Sequence, residues 1–320
     1  MVNGCAKTTS CKSIGIGSIE ETTGVKVKAI VIGAFCALLF SLFAPELRAA
    51  VLQRDVELPI SDNAGGEVRA HVRICEPDVS TPQPVVLFVH GDPGDLDRPK
   101  SEMPACNDEY NAWFIRRGFA VVTLLRLGFG ATGGPYLEGK GECSEADYVR
   151  SGREIARQTD SVVRYLAGQP DMDAKRVVVL GHSAGGWGTL AYDGMDHPGV
   201  IGFINMAGGK GGHYGGVKNQ VCRIDQLSAA VSQFGASAKT PMLWMYAKND
   251  SYFGPKFVHV LFTRFTQAGG VATLEQLDRF GADGHVLLMG RGGSVYWGPR
   301  FAVFLNSLGF NVPSGATRKH

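Results

Sequence analysis

A marked excess of charge of either sign is missing from this sequence. Among its 320 residues, 32 lysines and arginines stand against 30 aspartates and glutamates, which leaves a formal net charge of +2. This balance gives no electrostatic reason to expect a nucleic-acid partner. With 44% hydrophobic and 19% charged residues, the composition is that of an ordinary globular protein, and the length suits one large domain.

An apolar run long enough to cross a bilayer comfortably is missing as well. The uncharged apolar stretch at 29–44 is shorter than the roughly 20 residues that a membrane-spanning helix needs. Lysines precede this stretch and small residues at 49–50 follow it, which is the pattern of a secretory signal peptide. We therefore expect residues 1–50 to direct export to the periplasm or the medium, and residues 51–320 to form one domain. The alternative is an uncleaved N-terminal anchor, and only then is a membrane a partner.

Metal-binding patterns are also missing, because no CxxC pair and no cysteine–histidine spacing typical of zinc sites occurs. We therefore expect no metal. Four of the seven cysteines follow the predicted leader, namely Cys75, Cys106, Cys143 and Cys222. In an oxidising compartment they permit two disulfides, in any of three connectivities, or they remain buried thiols. We favour Cys106–Cys143, because these two flank one strand and the Gly-rich loop after it, which leaves Cys75–Cys222 by elimination.

Apolar strands alternate with helical stretches after residue 50, and glycines cluster next to the strands. Residues 51–58 and 67–74 alternate apolar and polar positions around a glycine turn, which predicts an antiparallel hairpin. The other predicted elements are strands at 85–89, 118–126, 176–183, 199–208, 241–247 and 272–277, and helices at 110–117, 144–168, 222–234, 255–268 and 297–308. This order predicts an α/β fold with a mostly parallel doubly wound sheet, helices on both faces and the antiparallel hairpin at one edge. Ser144 is the predicted cap of the helix at 144–168, and residues 311–320 are expected to be a frayed tail.

The run Gly181-His182-Ser183-Ala184-Gly185 lies directly between a predicted strand and a predicted helix. In this context a GxSxG pattern forms a sharp turn that lifts the serine hydroxyl above the sheet edge. Gly181 and Gly185 are needed because side chains there would collide with a neighbouring strand or helix. Ser183 is therefore the candidate nucleophile, and the N–H of Ala184 can face a developing oxyanion. The alternative is a glycine-rich turn that contains a serine by chance.

A second turn, HGDPG at 90–94, follows the predicted strand at 85–89. Its position and type match the loop that supplies the other oxyanion N–H in this strand–turn–helix architecture. The backbone amide of Asp92, and not its carboxylate, is the expected donor. A plain turn between strand and helix is compatible with that role, since only the direction of the amide matters.

A serine hydroxyl needs a base that takes its proton, and in this architecture the order along the chain is serine, acid, histidine. His285 lies in a Gly-rich loop after the last predicted strand, where the base is expected. His259 falls within a predicted helix and is interpreted as a packing residue. His213 lies in a Gly-rich loop at the expected rim, where a solvated role is favoured over substrate contact.

The expected acid is Asp250, which follows the predicted strand at 241–247 and lies between the serine and the histidine in chain order. Asp278 and Asp283 lie too close in sequence to His285 to be the first choice. Four aromatic residues near these loops are candidates for the pocket wall: Tyr252, Phe253, Trp187 and Tyr214.

Arg126 ends the predicted strand at 118–126. It is a candidate for binding a substrate carboxylate, although a structural salt bridge is the favoured interpretation. The segment between residues 208 and 240 is too short for a large lid domain, so an open site is expected.

With these residues in place, the chain resembles the dienelactone hydrolase-like branch of the α/β-hydrolase superfamily. The resemblance rests on HGDPG at 90–94, GHSAGG at 181–186, KNDSYFGP at 248–255 and DGH at 283–285. True dienelactone hydrolases carry a cysteine nucleophile, whereas this chain has Ser183, which favours ordinary ester chemistry. The resemblance implies the α/β-hydrolase fold and acyl transfer to water without a cofactor.

The expected function is hydrolysis of small or medium carboxylic esters through Ser183, His285 and Asp250, with a small-molecule ester as the substrate. A peptidase or amidase, or a lactone hydrolase of the dienelactone type, is the alternative within the same chemistry. A non-catalytic binding module is the alternative of another class, and the three filled triad positions argue against it. The sequence leaves the oligomeric state open.

Overall fold

The computed structural model describes residues 50–313. All but the last residue of the predicted leader, and the predicted tail from residue 314 onward, lie outside the described residues. The strands are β1 (Val51–Ser61), β2 (Glu67–Pro77), β3 (Gln83–Val89), β4 (Ala120–Leu124), β5 (Met172–His182), β6 (Val200–Met206), β7 (Met242–Ala247) and β8 (Ala272–Leu277). The α-helices are α1 (Glu109–Ile115), α2 (Tyr148–Leu166), α3 (Ala184–Asp193), α4 (Ile224–Ser237), α5 (Pro255–Gln267) and α6 (Ser294–Ser307). None of the helices in this part of the chain has the length and apolar character needed to span a membrane.

The strands form one sheet in the order β1-β2-β4-β3-β5-β6-β7-β8. β1 pairs antiparallel with β2, and β2 pairs antiparallel with β4. All other neighbouring strands pair parallel. The predicted mostly parallel sheet with an antiparallel hairpin at one edge is thus confirmed. Because β3 to β8 run in the same direction, the loops that follow them meet at the carboxyl edge of the sheet, where ligands usually bind in open α/β sheets.

Helices cover both faces of the sheet, as predicted. One apolar cluster joins residues of α1 and α6, such as Trp113, to the strands, and the other joins residues of α2 to α5, such as Trp187. Neighbouring strand residues serve opposite clusters, since Val86 belongs to the first and Leu87 to the second. This alternation follows from the two-residue period of a strand. The sheet is therefore buried on both faces, which explains the continuous apolar runs in the sequence.

Two disulfides join Cys75 to Cys106 and Cys143 to Cys222. The predicted pairings of Cys106 with Cys143 and of Cys75 with Cys222 are therefore wrong. Cys75 and Cys106 pack with the α1/α6 cluster, whereas Cys143 and Cys222 pack with the α2–α5 cluster. Because the sheet lies between these clusters, sulfur atoms on opposite faces cannot approach to bonding distance. Two disulfides in residues 50–313 are typical of a protein that folds in an oxidising environment.

We expect removal of the Cys143–Cys222 bridge to destabilise the protein strongly. It joins residues separated by 79 positions, against 31 for Cys75–Cys106, and a longer closed loop restricts the unfolded chain more. Replacing Cys143 and Cys222 by serine should lower the free energy of unfolding by about 4 kcal/mol on the chain-entropy model. Chemical denaturation measures this loss, with the Cys75→Ser, Cys106→Ser variant as the matched control. A non-reducing peptide map that links Cys106 to Cys143 would overturn the pairing.

Helix α2 begins later than the sequence predicts. Ser144 lies in a short 3₁₀ turn at Cys143–Glu145, and Asp147 is the N-cap of α2. The Asp147 carboxylate accepts a hydrogen bond from the Arg150 amide at 2.8 Å. A carboxylate at this position satisfies a free N–H and interacts favourably with the helix dipole, so Asp147 and not Ser144 starts the helix.

The predicted tail is ordered at its beginning. Val312 is 3% exposed, and its amide donates a hydrogen bond of 2.7 Å to the side chain of Asn306. The chain therefore stays packed against α6 as far as this residue, and the expectation of fraying from residue 311 is wrong for the part that the structure describes.

Candidate active site

Ser183 occupies the turn between β5 and α3 in a conformation that residues other than glycine rarely adopt, with φ 54° and ψ −119°. The turn is tight. A Cβ atom at Gly181 would lie 2.4 Å from the carbonyl oxygen of Gly185, and one at Gly185 would lie 2.0 Å from the carbonyl oxygen of Val89. Both glycines are therefore required, as the sequence pattern indicates. The close contact of strand and helix holds Ser183 in this conformation at the carboxyl edge of the sheet.

His285 and Asp250 lie beside Ser183. The Nε2 atom of His285 is 3.0 Å from Oγ of Ser183, and its Nδ1 atom is 3.1 Å from both carboxylate oxygens of Asp250. His285 is 7% exposed and Asp250 is 2% exposed, so water competes little for these contacts. The structure thus brings together the three residues that the sequence analysis selected as nucleophile, base and acid.

Backbone amides hold the Asp250 carboxylate in place. Its Oδ1 atom accepts hydrogen bonds from the amides of Tyr252 at 2.8 Å and Phe253 at 2.9 Å. The carboxylate is thereby fixed opposite Nδ1 of His285. This contact selects the tautomer that carries its proton on Nδ1, which leaves Nε2 free to accept the proton of the Ser183 hydroxyl.

A second aspartate, Asp283, positions the loop that carries His285. Its Oδ1 atom accepts hydrogen bonds from the amides of His285 and Ser251, both at 3.0 Å, and its Oδ2 atom accepts one from the Ser251 hydroxyl at 2.5 Å. Burial acts to raise the pKa of Asp283, but these hydrogen bonds outweigh it and hold the pKa below its ordinary value. Asp283 therefore contacts the backbone of His285, whereas Asp250 contacts the imidazole ring.

His182 also contacts the backbone of His285. Its Nε2 atom lies 2.8 Å from the carbonyl oxygen of His285. Burial, with the nearby His285, lowers the pKa of His182 to about 3, so His182 is neutral near pH 7. A neutral imidazole that donates from Nε2 to this carbonyl fixes the backbone of His285 without adding charge behind it.

The turn after β3 passes close to Ser183. A Cβ atom at Gly91 would lie 3.2 Å from Cβ of Ser183. Within residues 50–313, neither the amide of Asp92 nor that of Ala184 is bonded to an acceptor. Ala184 is the first residue of α3, where N–H groups have no partner inside the helix. Two free amides next to the serine can stabilise an oxygen that gains negative charge during a reaction.

Arg126 holds this turn from behind. Its guanidinium group and the Glu138 carboxylate are both fully buried and form a bidentate pair, with Nη2 3.1 Å from Oε2. The Nη1 atom of Arg126 also donates to the carbonyl oxygen of His90 at 2.7 Å, and the Arg126 amide donates to Nε2 of His90 at 3.2 Å. The structural salt bridge favoured for Arg126 is therefore found. The buried charge is not accessible to a substrate carboxylate.

Partners that the sequence analysis did not select surround the Asp92 carboxylate. The Tyr136 hydroxyl donates to it at 2.6 Å, Arg98 Nη2 lies 3.2 Å from each of its oxygens, and Lys210 Nζ lies 3.6 Å away. The Gly94 amide also donates to it, at 2.9 Å. Lys210 lies in the Gly-rich loop after β6. This position in a loop at the expected rim of the site is the one feature of the sequence that could have pointed to it. Arg98 and Tyr136 lie in irregular segments where periodicity carries no information.

The aromatic candidates for the pocket wall have different environments. Trp187 is 0% exposed and donates a hydrogen bond from Nε1 to the Tyr148 carbonyl at 3.0 Å, so it belongs to the core and not to a pocket wall. Phe253 is 1% exposed and packs behind His285. Tyr252 is half-buried and stacks on the imidazole of His285, with ring centroids 4.2 Å apart. Tyr214 is 47% exposed on the loop after β6.

His213 is packed, in contrast to the solvated position favoured for it. Its ring stacks on Tyr252 with centroids 3.7 Å apart, and its Nε2 atom lies 3.0 Å from the carbonyl oxygen of Ser251. His213, Tyr252 and His285 thus form one continuous stack. This stack limits the movement of the His285 ring.

A cavity of about 490 Å³ opens beside the turn after β3. It is lined by Gly91 and His182, which are chain neighbours of Asp92 and Ser183, and by Met289 of the loop that carries His285. Ser183, Asp250 and His285 do not line this cavity, which lies next to the turn that contacts Ser183. In the described part of the chain, no three histidine, cysteine or carboxylate side chains converge in a way that would hold a metal ion.

The sequence model of the Alpha/beta hydrolase family matches residues 86–307. No curated protein matches the chain by sequence. Three solved structures illustrate the similarity of fold. A Klebsiella pneumoniae protein assigned as a dienelactone hydrolase has a TM-score of 0.51 at 15% identity, over 82% of this chain and 98% of that one.

The acetyl xylan esterase 1 of a Thermoanaerobacterium species has a TM-score of 0.52 at 16% identity, over 81% of this chain and 88% of that one. The acylaminoacyl peptidase of Pyrococcus horikoshii has a TM-score of 0.58 at 15% identity, over 89% of this chain but only 45% of the peptidase. At these identities the similarity concerns the fold. It confirms the α/β-hydrolase fold predicted from the sequence.

Proposed function

The chain belongs to the alpha/beta hydrolase family, and on that premise we propose that it is a serine hydrolase of small or medium carboxylic esters. One observation carries the proposal: Ser183 Oγ, the His285 ring and the Asp250 carboxylate form a continuous chain of contacts at 3.0 Å and 3.1 Å. The fold alone would not support an activity, because folds host many functions. The spacing of nucleophile, base and acid is what acyl transfer requires.

Acylation follows from this geometry. His285 Nε2 takes the proton of the Ser183 hydroxyl as the oxygen attacks the ester carbonyl. Asp250 stabilises the imidazolium that results, and the amides of Asp92 and Ala184 donate hydrogen bonds to the oxyanion. When the tetrahedral intermediate collapses, the bond to the alcohol breaks and His285 gives its proton to the leaving oxygen. Ser183 then carries the acyl group as an ester.

Deacylation repeats these steps with water. His285 takes a proton from a water molecule, which attacks the acyl carbon and forms the second tetrahedral intermediate. Its collapse returns the proton to Ser183 Oγ and releases the carboxylic acid. Each step uses only side chains and amides of this chain, so the mechanism needs no cofactor.

An amide or peptide substrate is the second candidate. It is favoured by the similarity of fold to an acylaminoacyl peptidase, and the same triad chemistry cleaves amides. Cleavage of an amide depends more strongly on His285 as the general acid, because an amine is a poorer leaving group than an alcohol and must be protonated as it leaves. A lactone is a cyclic ester, so its alcohol stays attached to the acyl group after the ring opens.

We expect the purified chain to hydrolyse p-nitrophenyl esters, with a chain-length optimum that reports the size of its acyl pocket. The measurement is kcat/KM for acyl chains of increasing length, next to p-nitroanilides of the same acyl groups and a small set of lactones. Higher turnover of anilides or lactones would move the assignment to an amidase or a lactonase. Absence of turnover together with no labelling by a fluorophosphonate would contradict a serine hydrolase and favour a binding module.

The two disulfides support a further part of the proposal, which is that the protein works outside the cytoplasm, in the periplasm or the medium. The predicted leader at 1–50 would direct this export. A small-molecule ester is the proposed partner.

A further inference from the structure

Lys210 follows the loop residue that contacts the nucleophile. The amide of Gly209 donates a hydrogen bond of 3.0 Å to the carbonyl oxygen of Ser183. Lys210 itself is 8% exposed, and its ammonium group lies 2.9 Å from the Tyr136 hydroxyl oxygen and 3.6 Å from the Asp92 carboxylate. A buried ammonium group is costly unless it is paired. Lys210 is thus a buried charge that the mechanism above does not use.

Asp92 lies in the turn after β3, which also passes close to the nucleophile. Its neighbour Gly91 lies against Ser183, and the Asp92 amide is the proposed oxyanion donor. The carboxylate of the same residue presents a difficulty, because a negative charge near the oxyanion opposes its formation. Burial acts to raise the pKa of Asp92, yet Lys210, the Tyr136 hydroxyl and the Gly94 amide hold it well below its ordinary value. The carboxylate is therefore ionised and must be neutralised by its neighbours.

The buried charged groups next to the turn after β3 carry a net positive charge. Two ion pairs, Arg126–Glu138 and Arg98–Asp92, lie there, and Lys210 adds a third cation. The group therefore contains three cations and two carboxylates, which leaves one positive charge in excess. Asp95 also pairs with Arg98, but its side chain is 91% exposed, so water screens its charge.

We propose that Lys210 is a positioning residue for this reaction: together with Arg98, its ammonium group offsets the Asp92 carboxylate, so that the turn after β3 presents its amide to the oxyanion without an opposing charge. The inference rests on the proposed function. Lys210 acts through Asp92 and touches no reacting atom. Its effect should fall on the formation of the charged intermediate, and therefore on kcat and not on KM.

The test compares three variants: Lys210→Met, Lys210→Arg, and Lys210→Met combined with Asp92→Asn. The readout is the second-order rate constant for labelling of Ser183 by a fluorophosphonate, which works whichever acyl substrate the enzyme prefers. We expect Lys210→Met to label about 10- to 100-fold more slowly, which is less than the ~10²–10³-fold loss typical of deleting a direct oxyanion donor. Lys210→Arg keeps the positive charge, and its labelling rate constant should lie within about fivefold of that of the unchanged protein.

The double variant separates charge from packing. If Lys210 offsets the charge of Asp92, removing that charge with Asp92→Asn should restore a large part of the rate lost in Lys210→Met. A structural role predicts the opposite, because the second substitution removes further contacts. A double variant as slow as Lys210→Met, or slower, would overturn the inference.

The dependence of labelling on pH gives a second readout, which also serves if Lys210→Met does not fold. The charged and titratable groups that face Lys210 are Asp92, Arg98, Arg126, Tyr136 and Glu138. Burial outweighs the two carboxylates and lowers the pKa of Lys210. The unchanged protein should therefore lose rate as alkaline pH removes the Lys210 proton, and Lys210→Arg should not, because a guanidinium stays charged there. Identical alkaline profiles would contradict the inference.

Failure of the inference and failure of the proposed function are distinguishable. If the unchanged protein is not labelled at Ser183, both are wrong. If it is labelled, and folded Lys210→Met reacts at the same rate, only the role of Lys210 is wrong. Thermal unfolding of each variant establishes that it is folded.

Discussion

Ser183→Ala is expected to lower ester hydrolysis by about 10⁵-fold or more and to abolish labelling by a fluorophosphonate, on the scale measured for nucleophiles of serine hydrolases. The reason is that, within residues 50–313, Ser183 Oγ is the one hydroxyl oxygen in hydrogen-bond contact with His285 Nε2, at 3.0 Å. The free amides of Asp92 and Ala184 remain in the variant. A small residual activity above water is therefore expected, without a covalent intermediate.

The fold should survive this change. Ser183 already adopts φ 54°, and alanine has the same Cβ atom, so the variant bears the same backbone strain. Equal thermal unfolding midpoints for the variant and the unchanged protein would establish this. Ser161→Ala, on α2, is the matched serine control and should keep full activity. Labelling that persists in Ser183→Ala would mean that another residue is the nucleophile.

Asp250→Asn is expected to lower kcat by about 10⁴-fold with little effect on KM, which is the loss known for the corresponding change in a serine protease triad. The carboxylate accepts the Nδ1 proton of His285 at 3.1 Å, whereas an amide can present its NH₂ group to Nδ1 and select the opposite tautomer. A proton on Nε2 then prevents that atom from accepting the Ser183 proton. The measurement is kcat and KM on the best p-nitrophenyl ester.

Asp283→Asn is the matched control for this prediction. Asp283 accepts hydrogen bonds from the amides of His285 and Ser251, and an asparagine oxygen can accept them too. We expect a loss of activity of about tenfold or less, together with a loss of stability of about 1 kcal/mol, the usual contribution of one such hydrogen bond. A loss at Asp283 as large as that at Asp250 would show that the acid is misassigned.

Much of this site follows from the sequence because its determinants are local. A sharp turn between an apolar strand and a helix requires glycine at 181 and 185, and that requirement is visible in five consecutive residues. The direction of parallel strands then places the residues after β5, β7 and β8 at one edge. Chain order and position directly after a strand therefore led to Ser183, Asp250 and His285 as the candidates. The sheet, its edge hairpin and the helices on both faces follow in the same way from apolar periodicity.

Other features depend on contacts across the fold that local patterns do not encode. Asp250 and Asp283 are both aspartates that lie between Ser183 and His285 in the sequence. Only the structure shows that Asp250 contacts the ring of His285 and that Asp283 contacts its backbone. Trp187 lies close to Ser183 in sequence, but it is one helical turn further along α3 and faces the core. Nearness in sequence was therefore a poor guide to the pocket wall.

The sequence by itself was enough to predict the α/β architecture, the strained serine turn and the candidates for nucleophile, acid and base. Only the tertiary structure decided the disulfide pairing, the neighbours of Asp92 and the place of Lys210. The physical reason is the sheet. It separates Cys106 from Cys143 although they flank the same strand, and its parallel order brings Lys210, from the loop after β6, beside the turn after β3.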